Sequence, residues 1–400
     1  MRRHFTVTVF IGLAISLGYM STDIYLPSMP AMAHYFSQSQ DLIQLSIPPH
    51  FLGSAIAGLI GGSLSDRVGR KKILLWGLTA LGLASLAAAF SPTIYFLMLC
   101  RLLQGVGVGM VTVAGITAVH ELYPAEHSTH ALAGLGMSFA IAPAVAPILG
   151  GYIELALGWQ ANFLVVAILS FCAYWGIAQF LKDTPTSQSS GLSSFKKSFA
   201  TYWAMMKSRA YLRYSLITPG LYAGEICFLT VLPIHFISIL HVPVEFFGYY
   251  IAFTVSCYFF ASLMTPHLTK LLGADKLIKM ALTLAMIGAF LQVLAVWVLP
   301  GRPLIIMSLL CLNEIADAFA FGPSITRLLE EFPSAKGAAT ALRNTLISLA
   351  AACGGFAGGI FDDSSTLPMG IFMLAIPLLV YLVAFGLPFA SRISLRRLVT

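Results

Sequence analysis

Apolar runs of about 20 residues recur from one end of this chain to the other, and the charges collect in the short gaps between them. A run of that length is what an α-helix needs to cross the hydrocarbon of a bilayer. Inside lipid every backbone N–H and C=O must be satisfied within the protein, so only helices and closed barrels cross. Runs this long and this continuously apolar select helices. Composition agrees: 58% of the 400 residues are hydrophobic and 10% are charged, against roughly 25% charged for a soluble domain. The runs number twelve, over residues 6–32, 42–64, 72–90, 93–118, 130–153, 159–181, 211–238, 245–269, 276–299, 303–327, 337–361 and 367–390. The expected fold is therefore an all-α membrane protein. The N-terminal Met1-Arg2-Arg3-His4 followed by an apolar run mimics a signal peptide. It lacks a small-residue cleavage site and contains Asp23, so it reads as a retained first helix.

The formal net charge of +7 does not imply a nucleic-acid partner, because the basic residues sit in alternate loops and not on one face. Arg302 lies in an opposite loop and Arg101 inside a span; the other 21 of the 23 Lys and Arg, Arg343 among them, are assigned to one side. Basic loops face the cytoplasm, which puts both termini there. The one long polar segment, 182–210, contains Ser187-Gln188-Ser189-Ser190-Gly191 and has the composition of a linker. It divides the chain into an N-terminal half of six spans (1–181) and a C-terminal half of six spans (211–400). The six cysteines lie in apolar runs without metal-ligand spacing and read as packing residues. No metal, cofactor, nucleotide-binding loop or nucleophile–base pair is visible, so no enzyme is expected. Transport energy would come from a gradient, unless a separate ATPase subunit exists.

The densest charges of the first half stand in Gly61-Gly62-Ser63-Leu64-Ser65-Asp66-Arg67-Val68-Gly69-Arg70-Lys71-Lys72, between the second and third runs. Its glycines allow a tight reversal, and Asp66 can accept from backbone N–H groups or an arginine. Shifted by 204 residues, Leu64, Gly69 and Lys72 fall on Leu268, Gly273 and Lys276, so the halves look like diverged repeats; Asp66 falls on Lys270, and the second copy has lost the acid. The stretch resembles the loop between helices two and three of major facilitator superfamily transporters. Two further stretches, around Asp23 in the first run and around Arg101 in the fourth, resemble the Bcr/CflA (bicyclomycin and chloramphenicol resistance) group of twelve-helix drug:proton antiporters. The resemblance implies two six-helix halves with pseudo-two-fold symmetry, a substrate site between them, alternating access, and residence in the bacterial inner membrane as a monomer. It also implies a gating role for Gly62, Asp66, Arg67, Gly69 and Arg70. The rival for Asp66 is a helix cap, with the basic run setting topology only.

Asp23 lies deep in the first run, and Tyr19, Asp23, Pro27 and Pro30 recur at helical spacing on one face. A carboxylate there needs a wet cavity or a partner. It reads as a group that binds a proton or a cationic substrate; the rival is a helix-end Asp solvated at the membrane rim. Arg101 cannot shed its charge, and shares a face with Gln104. Gly105 and Gly109 form a small-x-x-x-small ridge. The resemblance gives Arg101 a part in proton coupling beside Asp23; a structural ion pair is the alternative. Pro143, Pro147, Gly150 and Gly151 in the fifth run resemble the antiporter motif of exporters. Glu225, Asn313, Glu314 and Asp317 are further intramembrane polar groups, either substrate or proton sites or neutral acids bonded across helices. Tyr19, Tyr25, His50 and Gln104 complete the candidate cavity lining, and Phe51, Tyr222, Phe228 and Phe236 are aromatic candidates. Gly354-Gly355-Phe356-Ala357-Gly358-Gly359 reads as helix packing. The expected function is proton-coupled export of small amphiphilic compounds. The alternative is transport of a siderophore or other polar metabolite in either direction.

Overall fold

The computed structural model describes residues 2–122, 125–182, 193–298, 301–333, 335–360 and 367–386. Among them the secondary structure is helical throughout: α1 (Arg2–Asp23), α2 (Met29–Phe36), α3 (Gln40–Gln44), α4 (Ile47–Val68), α5 (Arg70–Ala89), α6 (Ile94–Leu122), α7 (Ala125–Leu157), α8 (Trp159–Phe180), α9 (Ser193–Lys207), α10 (Arg209–Ser215), α11 (Ile217–Ile234), α12 (Val244–Leu272), α13 (Ala274–Val298), α14 (Pro303–Glu331), α15 (Lys336–Ile360) and α16 (Leu367–Tyr381). Ten described segments are long and apolar enough to cross a membrane. The other two of the twelve expected runs are α7, whose described apolar part is Ile141–Leu157, and α15, whose Arg343, Asn344 and many glycines lower its hydropathy.

Prolines mark breaks at two places, while Pro143, Pro147, Pro266, Pro323 and Pro377 lie inside continuous helices. The first span breaks after Asp23 into a 3₁₀ turn, Leu26–Ser28, with Pro27 inside it; Pro30 then sits in the first turn of α2, where its missing N–H costs nothing. Pro233 precedes a π turn, His235–Ile239, that extends α11. The stretch after the sixth span is less linker-like than its composition suggests. Phe, Trp and Met at helical spacing fold α9, which packs on α4, α10 and α15 and buries Met205. Residues 183–192, with the Ser-rich run, lie outside the described residues.

The packing repeats itself. In the first set α1 lies against α6, α7 and α8, α4 and α5 lie against α6, and α5 lies against α8. In the second set α11 lies against α14, α15 and α16, α12 and α13 lie against α14, and α13 lies against α16. Advancing six spans converts one pattern into the other. The cross-contacts obey the same operation, because α4 packs on α15 and α7 packs on α12. The turn between spans also repeats: Gly69 (φ 101°) ends α4 and Gly273 (φ 83°) ends α12, 204 residues apart. Only glycine adopts such φ values without strain.

The two sets are not joined equally along their length. At the end distal to the termini one apolar cluster is shared, with Tyr25, Met29, Ile47 and Trp159 of the first set against Phe228, Phe236, Ile251 and Met373 of the second. Two side-chain hydrogen bonds cross there, from Gln40 to Ser238 at 3.2 Å and between Tyr152 and Tyr249 at 3.2 Å. At the end bearing the termini the core divides. Val7, Ile11, Leu74 and Ile177 belong to one cluster; Tyr211, Leu277, Leu328 and Leu342 belong to another. The two sets thus share one apolar core distally and have separate cores at the terminal end, with Leu59 of α4 packed against the second.

Candidate functional site

The polar lining begins where the first span breaks. Ser21 and Thr22 tie their hydroxyls back to the Gly18 carbonyl at 2.8 and 3.2 Å, and Asp23 follows as the last residue of α1, 7% exposed. No side-chain hydrogen bond or ion pair to its carboxylate is present among the described residues, though Arg101 lies within electrostatic range. Tyr19, one turn earlier, is 37% exposed despite its depth in the span, and it is close enough to Asp23 and Glu225 to feel both charges. Its closeness to Glu225 of the second set turns it toward the space between the two sets of helices.

Arg101 is completely buried on α6. Its Nη1 donates to the Ser21 carbonyl at 2.7 Å and to Gln104 Oε1 at 2.9 Å, and its Nε donates to the Ser46 carbonyl at 3.4 Å. The guanidinium also stacks 4.6 Å from the centre of the Tyr25 ring. Gln104, itself fully buried, donates to Ser85 Oγ at 2.8 Å and so fixes the oxygen that Arg101 uses. Nη2 has no partner. Carbonyl oxygens and a ring, with no carboxylate in salt-bridge contact, hold this cation. The arrangement is possible because α4 and α6 nearly touch: a Cβ at Gly105 would collide with the His50 carbonyl, and one at Gly109 with the Ser54 carbonyl. The glycine ridge works as its spacing suggests.

The second set supplies the opposite wall. Glu225 of α11 and Asn313, Glu314 and Asp317 of α14 line a cavity of about 20 Å³, room for a single water. Tyr222 and Tyr258 stand within electrostatic range of these acids. Arg343 is the cation of this wall. It is 1% exposed in α15, donates to Thr218 Oγ1 at 2.8 Å and to Ser324 Oγ at 3.5 Å, and lies 4.9 Å from the Phe321 ring centre. The charge count assigns Arg343 to a basic loop; it is instead two turns inside a helix and buried, so that assignment is corrected here. The signal that would have separated it is its place after an unbroken Ala-rich turn.

The other candidates divide. Tyr25 is buried, bonded to Ser46 at 3.1 Å and packed on Phe163. His50 is buried, edge-on to Phe51. Of the aromatic candidates, Phe51, Phe228 and Phe236 belong to the shared core and Tyr222 packs against it; Phe51 and Tyr222 meet across the two sets at 6.1 Å. Pro143 and Pro147 lie inside α7. A Cβ at Gly150 would strike the Ile24 carbonyl of the first span, and one at Gly151 the Val244 carbonyl of α12; this motif is therefore a seam between the two sets. In α15, Gly354 presses on the Ala223 backbone and Gly355 on Pro48.

At the terminal end, Gly62 packs loosely near Val113 and Gly69 makes the turn. Arg70 donates to Ser65 Oγ at 2.8 Å and pairs with Glu121 at 3.1 Å. Arg67 is half-buried, and the side chain of Asp66 lies outside the described residues. The second set has a counterpart that the 204-residue shift does not reveal. Asp275, at the start of α13, pairs with Arg327, at the end of α14, at 3.1 Å, and Tyr214 donates to the same carboxylate. The clamp joins the equivalent helices with its charges exchanged. The second copy thus keeps an acid, displaced to the far side of its glycine.

The architecture has known counterparts. The profile of the Major Facilitator Superfamily matches residues 11–355. The chain belongs to the Major Facilitator Superfamily. It is a multi-pass membrane transporter and not an enzyme. Among its relatives are a Haemophilus influenzae protein named Bicyclomycin resistance protein homolog, 26% identical over 84% of this chain and 85% of that one, and Escherichia coli Multidrug resistance protein D, 25% identical over 63% and 66%. The crystal structure of a D-xylose-proton symporter superposes with a TM-score of 0.75 at 16% identity, covering 96% of this chain and 98% of that one; at that identity the likeness concerns the fold. Among the described residues no group of His, Cys, Asp and Glu is arranged to hold a metal ion.

Proposed function

We propose that this transporter exports small amphiphilic compounds in exchange for protons across the bacterial inner membrane, as a monomer. The observation that carries the reading is Asp23: a buried intramembrane carboxylate with no side-chain hydrogen bond among the described residues, beside an arginine that is anchored elsewhere. Such a group can gain and lose a proton without breaking an ion pair, while the fixed guanidinium makes its ionised form tolerable. The names of the two relatives support drugs as cargo.

Alternating access would rock residues 1–181 against residues 211–400, with 182–210 between them. The excess of Lys and Arg in the loops at the terminal end supports a cytoplasmic placement of that end. A proton reaching Asp23 from outside would neutralise it, weaken its hold on cargo, and be released inward after the switch. Pro143, Pro147, Gly150 and Gly151 would serve as the seam along which α7 slides on α12. Asp66, Arg67 and Arg70 would close the cytoplasmic end when the cavity faces outward.

The test compares growth of a deletion strain and a complemented strain. Lower tolerance of bicyclomycin and chloramphenicol in the deletion, restored by the gene, is the expected result. Unchanged drug tolerance with impaired growth under iron limitation would instead assign a siderophore as cargo.

A further inference from the structure

The cavity bounded by α11, α14 and α16 contains more acid than its surroundings can hold ionised. Glu225, Glu314 and Asp317 all line it. Glu314 is 8% exposed and has no hydrogen-bond partner among the described residues. Asp317 Oδ1 and Asn313 Nδ2 are buried without partners in the same lining. The amide has room because the facing position on α13 is Gly288, where a Cβ would press on Asn313 Nδ2 at 2.9 Å. The remaining walls are apolar or glycine: Leu221, Leu310, Met373, Gly220 and Gly224.

The charged and titratable groups that face these acids are few. From α15 comes Arg343, within electrostatic range of Asp317 but committed to Thr218 and Ser324. From α11 comes Tyr222, from α12 come Tyr258 and, through Cys311 of α14, Cys257, and from α1 come Tyr19 and Asp23. One cation against three carboxylates leaves a deficit of positive charge. In a low-dielectric wall that deficit is met by protons on the acids.

We propose that this cavity is a second proton-binding site, in the C-terminal set of helices and separate from Asp23, in which an exchangeable proton is shared by Glu225, Glu314 and Asp317 through a single water. The site takes a proton from a hydronium and returns it to water, so charge and atoms balance with no other reactant. The unpartnered amide of Asn313 is a donor in the same lining for the carboxylates left ionised. Tyr19 and Tyr222 lie within electrostatic range of both Glu225 and Asp23, so the charge state of each site is felt in the space between them. One proton site on each side of the cavity makes the carrier able to move two protons per cycle.

The proposal does not depend on Asp23 as the coupling group, and the experiment separates the two. The purified full-length protein is titrated while infrared difference spectra follow the protonated-carboxyl stretch. The wild type should show titrating buried carboxyls, and Asp23→Asn should remove part of that signal and keep the rest. Glu314→Gln with Asp317→Asn should remove the part that Asp23→Asn retains. Glu225→Gln alone should shift the pH at which that part titrates, which keeps the test available if the double variant does not fold. Complete loss of the signal in Asp23→Asn, or a retained part that neither the double variant nor Glu225→Gln alters, would overturn the second site whatever the fate of the first.

Discussion

Replacing Arg101 by lysine tests the mooring of the buried cation most sharply. The arginine spends two strong bonds, at 2.7 and 2.9 Å, and one long one, at 3.4 Å, on oxygens from three directions. Both strong acceptors are served by the one nitrogen Nη1, a place an ammonium can take, but a lysine carries no counterpart of Nε and loses the bond to the Ser46 carbonyl. The loss is one charge-assisted bond, about 1.5–3 kcal/mol, plus the stacking on Tyr25, about 0.5–2 kcal/mol. Against this, lysine removes the orphaned Nη2, which relieves about 1–3 kcal/mol. The net destabilisation should be roughly 1–2 kcal/mol, a drop of about 2–8 °C in melting temperature for a half of this size. Transport should fall much further than stability, because the ammonium no longer holds a fixed distance from Asp23. The assay is a thermal ramp of purified protein followed by size-exclusion chromatography, alongside proton-driven uptake in vesicles. Wild-type melting together with wild-type uptake in Arg101→Lys would refute the mooring.

Gly354→Val should splay α15 from α11, because its Cβ meets the Ala223 backbone; overpacking of this kind costs about 1–3 kcal/mol or more, and a melting temperature equal to the wild type would count against the close contact. The Asp275–Arg327 clamp, with both side chains 38% exposed, should show a coupling of less than about 1 kcal/mol in a double-mutant cycle, and the coupling should shrink with added salt; one that is large and insensitive to salt would be wrong for this geometry. Asp66→Asn should move the population toward the inward-open state, read as cysteine accessibility from each side in a background without native cysteines. Unchanged accessibility with lowered stability would make Asp66 a helix cap.

What could be read from the sequence was what is local in it. The twelve apolar runs, the glycine turn at Gly69, the proline break after Asp23 and the glycine ridge of α6 each depend on a few neighbouring residues. The facing of the helices could not be read that way. In a bundle within lipid a helix is apolar all round, so periodicity does not say which side meets protein. Tyr25, Phe51, Phe228 and Phe236 therefore looked no different from Tyr19, although those four are core. Arg343 looked like a loop charge because it lies only two turns from the helix start. The Asp275–Arg327 pair was hidden because the repeat conserves the helix junction and not the sign of the residue at each position. Gln104 was legible as a neighbour of Arg101, but its second partner, Ser85 on α5, is a tertiary contact that no spacing announces.

The central claim is that Asp23 couples cargo to protons, and counterflow in proteoliposomes addresses it directly. Wild-type protein is reconstituted with chloramphenicol as the probe, and a pH gradient is imposed to drive its accumulation; exchange without a gradient is measured in parallel. Asp23→Asn keeps the shape of the side chain and removes its titration, so it should abolish gradient-driven accumulation while the protein remains folded and still exchanges cargo between the two sides. Full gradient-driven accumulation by Asp23→Asn would contradict the account.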